Sequence, residues 1–72
     1  MDRKQLRAFV AVAEQHSFSA GARSLGTVQS NVSAHIARLE KELGVLLIDR
    51  ATNEPTDEGR AVSVEHLHQL GE

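Results

Sequence analysis

A chain of 72 residues, 40% hydrophobic, with a net charge of −2 and no cysteine, has room for one small domain near the lower size limit for a single core. It has no disulfide framework or thiolate metal site, and no apolar run long enough to span a membrane. With Phe9 and Phe18 as the only aromatics, a stacking platform for single-stranded nucleic acid is excluded as well.

The start, Met1-Asp2-Arg3-Lys4-Gln5, carries no apolar signal core. The lack of cysteine suits a reducing, cytoplasmic setting. The charge is uneven. Residues 1–50 hold seven Lys and Arg against five Asp and Glu, and residues 51–72 hold one Arg against five acids. Any basic surface therefore belongs to the first fifty residues, and the tail faces away from phosphate.

In chain order, Asp2 is placed to cap a first helix over about 3–14, with Gln5 at the capping-box spacing. Leu6, Phe9, Val10 and Ala13 form its apolar stripe, which Val12 widens. Arg3, Lys4 and Arg7 share its outer side, either as a solvated cationic face or as contacts to a DNA backbone. Ser17 caps a short second helix, about 18–25, with Phe18, Ala22 and Leu25 inward and Gly26 as its stop. Gly21 in its middle is either tolerated or marks the close approach of another helix backbone. Two short helices joined by so tight a turn predict a helix-turn-helix.

The third helix ends at Leu43, before Gly44. Its cap is Thr27 or Val28, Thr27 being chemically the better. Val32, Ile36, Leu39 and Leu43 make its inner stripe. Its first turns carry Gln29, Ser30, Asn31, Ser33 and His35, where a plain solvated face favours Glu and Lys. Such groups either satisfy a helix start or read donors and acceptors like those on base edges in a major groove. Val45 to Ile48 read as a buried segment entering a strand, and residues 51–55 as turn chemistry, together a small wing. Thr56 caps a last helix over 57–70. Its Ala61, Val64 and Leu67 face an uncovered side, expected to pack against a second copy of the chain rather than back on the first helix. The fold class is mainly α: a winged helix-turn-helix over 1–56 (three-helix core plus small β-wing), followed by a linker and dimerisation helix over 57–72.

The runs Leu6 to Glu14, Ser17 to Leu25, Val28 to Ser33, Ile36 to Val45, Leu47 to Arg50 and Thr56 to Arg60 together resemble the N-terminal DNA-binding region of LysR-type transcriptional regulators. The resemblance covers nearly the whole chain. It implies a bacterial regulator that binds duplex DNA as a dimer, seen without the larger effector domain such proteins normally carry. Carried over by position, Gln29 and Ser30 enter the major groove, and Ser33, Ser17 and Ser19 meet phosphates. Arg50 contacts phosphate or the minor groove, and Arg38 the backbone. Asn31, Ala34 and His35 complete the expected DNA-binding set, with Ala34 and His35 standing where basic residues are common. Leu46 replaces a frequent proline and Gly21 a frequent alanine. The wing is about two residues short and carries Glu54 where basic residues are usual, which implies weaker and less salt-sensitive binding.

Two other readings compete. A winged helix that only dimerises or binds protein fits the negative charge and the short wing. An enzyme is not expected: His66 and His68 lie two apart on a helix and share no face, and no catalytic set or phosphate loop is present. No cofactor, metal or small-molecule site is expected.

Overall fold

The computed structural model describes residues 2–62. Helix α1, Arg3–Gln15, begins at Asp2, whose carboxylate accepts from the Gln5 N–H at 2.9 Å while the Gln5 side chain accepts from the Asp2 N–H at 3.2 Å. The capping box holds both of these otherwise orphaned donors. His16, in the left-handed conformation, closes the helix. Helix α2, Phe18–Leu25, starts at Ser17, whose hydroxyl accepts from the Ala20 N–H at 3.1 Å. Helix α3, Gln29–Leu43, ends at Gly44. Strands β1, Ile48–Asp49, and β2, Glu54–Pro55, pair antiparallel, with Ile48 opposite Pro55 and Asp49 opposite Glu54. Residues 57–62 are helical and begin at Thr56, whose hydroxyl accepts from the Gly59 N–H at 3.0 Å and donates to the Leu46 carbonyl. This is a mainly helical winged helix-turn-helix, as the sequence implies.

The three helices pack around Leu6, Ala8, Phe9 and Val12 of α1, Ala22 of α2, and Val32, Ile36 and Leu39 of α3, with Leu47 and Ile48 closing the base. The stripe of α1 is rotated from expectation: Val12 is fully buried, and Val10 and Ala13 are marginal. The reason is Gly21. A Cβ there would stand 3.0 Å from the Val12 side chain and 3.1 Å from its backbone nitrogen. The α2 backbone therefore rests on α1 at Val12, the close approach expected for a helix-turn-helix crossing.

Two local expectations are corrected. The cap of α3 is Val28, not Thr27. The Gly26 N–H donates to the Arg23 carbonyl at 3.1 Å and the Thr27 N–H to the Ala22 carbonyl at 3.0 Å. That bond pair is a Schellman closure of α2, and the Thr27 hydroxyl accepts from the Asn31 side-chain amide at 3.0 Å rather than from an N–H of the first turn of α3. The segment before β1 is only half buried: Leu47 and Ile48 lie in the core, while Val45 is 37% and Leu46 65% exposed.

The wing is fastened from within. Glu40, 7% exposed, accepts from the N–H groups of Leu47 at 2.8 Å and Ile48 at 3.2 Å, and pairs in a two-pronged fashion with Arg50, both contacts at 2.9 Å. Arg50 also donates to the Ile48 carbonyl at 2.8 Å, and its guanidinium lies 5.4 Å from the centre of the Phe18 ring. One carboxylate thus ties the end of α3 to β1, and its cation reaches the start of α2.

Of the residues expected to face a second copy, Ala61 is exposed, while Val64 and Leu67 lie outside the described residues. Val62 packs on the core, and Gly59 is buried against it.

Two consequences can be measured. A Cβ at Gly59 would stand 2.2 Å from the Leu47 carbonyl oxygen and 3.2 Å from Phe9. Gly59→Ala must therefore displace the helical segment and should lower stability by about 1–3 kcal/mol in denaturant titrations. The second concerns Glu40. Burial is the largest influence on its carboxyl and acts to raise its pKa, but Arg50 and the two N–H donors together outweigh it and hold the group below its ordinary value of 4.5. A depressed carboxyl contributes its full stabilisation above the unfolded value and loses it as pH falls through the folded one. Acid titration of stability should show this loss below pH 4.5. Glu40→Gln should remove that component and cost about 2 kcal/mol near neutrality, because an amide cannot accept from all these donors.

Candidate nucleic-acid interface

A straight helix advances about 100° per residue. On α3 this sets Ser30, Ala34 and Arg38 in line on successive turns, opposite the Val32, Ile36 and Leu39 stripe. All three are exposed, as are Gln29 and Asn31. Ser33 and His35 sit on the two flanks of that line, half-buried. Ser30 and Arg38 therefore point away from the domain, whereas Gln29 lies on the side of Val32 and Ile36 and is exposed because it stands at the leading end of the helix. The Asn31 amide donates to the Thr27 hydroxyl at 3.0 Å, which fixes both side chains at the mouth of the turn.

Because Val28 has no polar side chain, it supplies no cap hydrogen bond. The Asn31 N–H turns to the Val28 carbonyl at 3.1 Å, and no side chain caps the first turn at the positive end of the helix dipole. Ser17 and Ser19 stand at the start of α2 with their hydroxyls 3.2 Å apart. Ser17 is committed to its cap, whereas Ser19 is exposed.

The cations beside the start of α3 and on the wing differ in their surroundings. Lys4 and Arg7 of α1 line an open cleft of about 340 Å³ together with Ala8, Leu25, Thr27, Val32 and His35. They are exposed, no acidic residue lines the cleft, and neither is ion-paired with a described residue. Arg50 is different: its charge is met by Glu40, and Nη1 and Nη2 are already donating. The wing itself is anionic, since the strand register sets Asp49 directly opposite Glu54. Both are exposed, and the cation that lies between them in the hairpin, Arg50, is paired with Glu40. The expected cluster thus separates. Gln29, Ser30, Asn31, Ser33, Ala34, His35 and Arg38 share α3, with Ser17 and Ser19 on the neighbouring helix, while Arg50 is turned onto the protein.

From the sequence, Val28 stands out as a possible cap and not as a functional residue, and Glu40 does not stand out at all. An apolar residue at a cap position was the available signal for the first. For the second it was an acid four residues beyond Ile36, on the edge of the buried stripe, with an arginine ten residues later.

Residues 3–60 match the family described as bacterial regulatory helix-turn-helix protein, lysR family. The chain is 48% identical over 61 residues to the HTH-type transcriptional regulator AceR of Acinetobacter baumannii, an alignment covering 85% of this chain and 20% of that protein. It is 44% identical over 69 residues to the HTH-type transcriptional regulator PtxR of Pseudomonas aeruginosa, covering 93% of this chain and 22% of that one. The chain therefore spans about a fifth of the length of these curated relatives. Among solved structures, the BenM_DBD/benA site 1 DNA complex superposes with a TM-score of 0.90 at 36% identity, over 97% of this chain and 81% of that one. The CbnR_DBD–DNA complex superposes with a TM-score of 0.89 at 32% identity, over 97% and 83%. The fold, the run of residues 3–60 and these relatives agree: the chain belongs to the lysR family of bacterial regulatory helix-turn-helix proteins.

Proposed function

We propose that this chain is the DNA-binding part of a bacterial transcriptional regulator and reads duplex DNA by laying the first half of α3 in the major groove. The observation that carries the reading is the uncovered polar face of that half-helix, with Gln29 and Ser30 exposed and unobstructed. Gln pairs bidentately with adenine, and a serine hydroxyl serves any base edge. Relatives of the same fold were crystallised as DNA complexes, which supports the same use here. Ser17, Ser19, Ser33 and Arg38 take the backbone on either side, and Asn31, Ala34 and His35 fill the groove-facing set. The protein acts as a homodimer through residues 57–72, with Ala61, Val64 and Leu67 on the shared face, in the bacterial cytoplasm where such DNA lies. A module that only dimerises is the weaker reading, since it leaves the polar face of α3 without a role.

Backbone contacts shift from the wing to α1 in this reading. Arg50 positions the wing by pairing with Glu40, and the opposed carboxylates of Asp49 and Glu54 repel phosphate. Lys4 and Arg7, beside His35 on the flank of α3, supply the cations instead.

Selection of bound sites from random duplex DNA should enrich a motif with two-fold symmetry. With Gln29→Ala, preference at one position of each half should fall by about 1–3 kcal/mol; recovery of no motif from the unaltered chain would refute the reading. Each phosphate neutralised adds about 0.9 to the salt slope of binding. Lys4→Ala and Arg7→Ala should each flatten that slope by about this amount in titrations at several salt concentrations. Arg50→Lys should leave the slope unchanged.

A further inference from the structure

The start of α3 breaks a local rule. A cap position favours Ser, Thr, Asp or Asn, because their side chains accept from the exposed N–H groups of the first turn. Valine cannot do this, and among these residue types it is one of the poorest at the position. Val28 nevertheless holds it, with extended backbone at φ −106° and ψ 156° and no side-chain cap. The two methyl groups gain nothing from the core in return, since the residue is 59% exposed. The neighbouring hydroxyl, Thr27, is turned aside to the Asn31 amide. The chain thus presents an apolar spot ringed by polar groups at the leading end of its recognition helix.

A residue that sacrifices both a cap and burial points to a ligand group that is itself apolar. On the floor of the major groove one such group exists, the 5-methyl of thymine. We infer that Val28 is a specificity residue that packs its isopropyl group against a thymine methyl, beside the base read by Gln29. The inference rests on the major-groove reading above. It adds to that reading a contact that discriminates thymine from cytosine by shape rather than by hydrogen bonding.

The contact can be isolated because deoxyuridine differs from thymidine in this methyl alone. The probe is a duplex selected by the unaltered chain from a random pool, with single thymines replaced in turn by deoxyuridine. Burying one methyl group corresponds to about a four-fold change in affinity. One thymine in each half-site should therefore show about that loss on replacement. Val28→Ser removes both methyl groups and restores a capping hydroxyl. It should raise the denaturation midpoint of the free protein while binding the thymine and deoxyuridine duplexes equally well.

The opposite directions of stability and discrimination separate a reading residue from a structural one. If no thymine shows the loss, or if the loss persists undiminished in Val28→Ser, the Val28 contact is overturned while the major-groove reading stands. If no duplex is selected at all, both fall together.

Discussion

The arrangement depends on the carboxylate of Glu40. It is the one charged side chain taken into the core region among the described residues, and it is fully occupied. Two backbone N–H groups and a guanidinium converge on its two oxygens. After Gly44 the chain must reverse and bring Leu47 and Ile48 under α3, where their side chains close the core. Their N–H groups go in with them, and a two-residue strand has too few ladder bonds to satisfy them. Glu40 supplies the missing acceptor from the helix above. Its charge then demands a cation, and Arg50 answers from the far side of β1, half-exposed and stacked toward Phe18. With Arg50 half-exposed, the attraction within the pair is partly screened by water, and the hydrogen bonds of Glu40 to the Leu47 and Ile48 N–H groups fix where β1 meets α3.

That clip has a cost for function. A short domain of negative net charge has few cations to place against phosphate, and one of them is held by Glu40. The wing that Arg50 anchors bears Asp49 and Glu54 face to face, which like-charge repulsion weakens and which no phosphate attracts. Nearest the start of α3, Lys4 and Arg7 stand unpaired with described residues around a cleft that His35 shares, and Arg38 lies exposed further along the helix. On the function proposed above, recognition is concentrated on one helix and its flanks. The β-ribbon serves to brace that helix rather than to extend its reach.

Most of the fold was legible because it is written in local chemistry. The Asp2 and Gln5 box, the Ser17 and Thr56 caps and the Gly26 and Gly44 stops each act within four residues, and sequence shows them directly. Gly21 was legible as a place where another helix backbone comes close, and the packed helices add that Val12 is what lies beneath it. Thr27 misled because capping rank is a property of one residue, whereas the Thr27 hydroxyl is taken by the Asn31 side-chain amide and its N–H by the close of the preceding helix. Glu40 and Arg50 were hidden for a different reason. A charge on the edge of an apolar stripe reads as solvated, and Arg50 reads as a free cation, until the turn after Gly44 brings the two together.

The same contrast separates the polar residues of α3 from one another. Asn31 and Ser17 belong to the set expected to touch DNA, yet their side chains already hold a turn and a helix start. Such groups can still offer a second lone pair or N–H, but their first duty is to fix the shape that others read from. Gln29, Ser30 and Arg38 carry no such internal bond and are therefore the side chains with the most to gain from a partner. Discrimination should accordingly concentrate at the leading end of α3, where Val28 and Gln29 lie side by side, one offering methyl groups and the other a planar amide. If both read bases as proposed, an apolar and a polar group in adjacent positions define a short base step without any help from the wing. A domain this small, with its charge this low, can thus remain selective while binding the backbone only lightly.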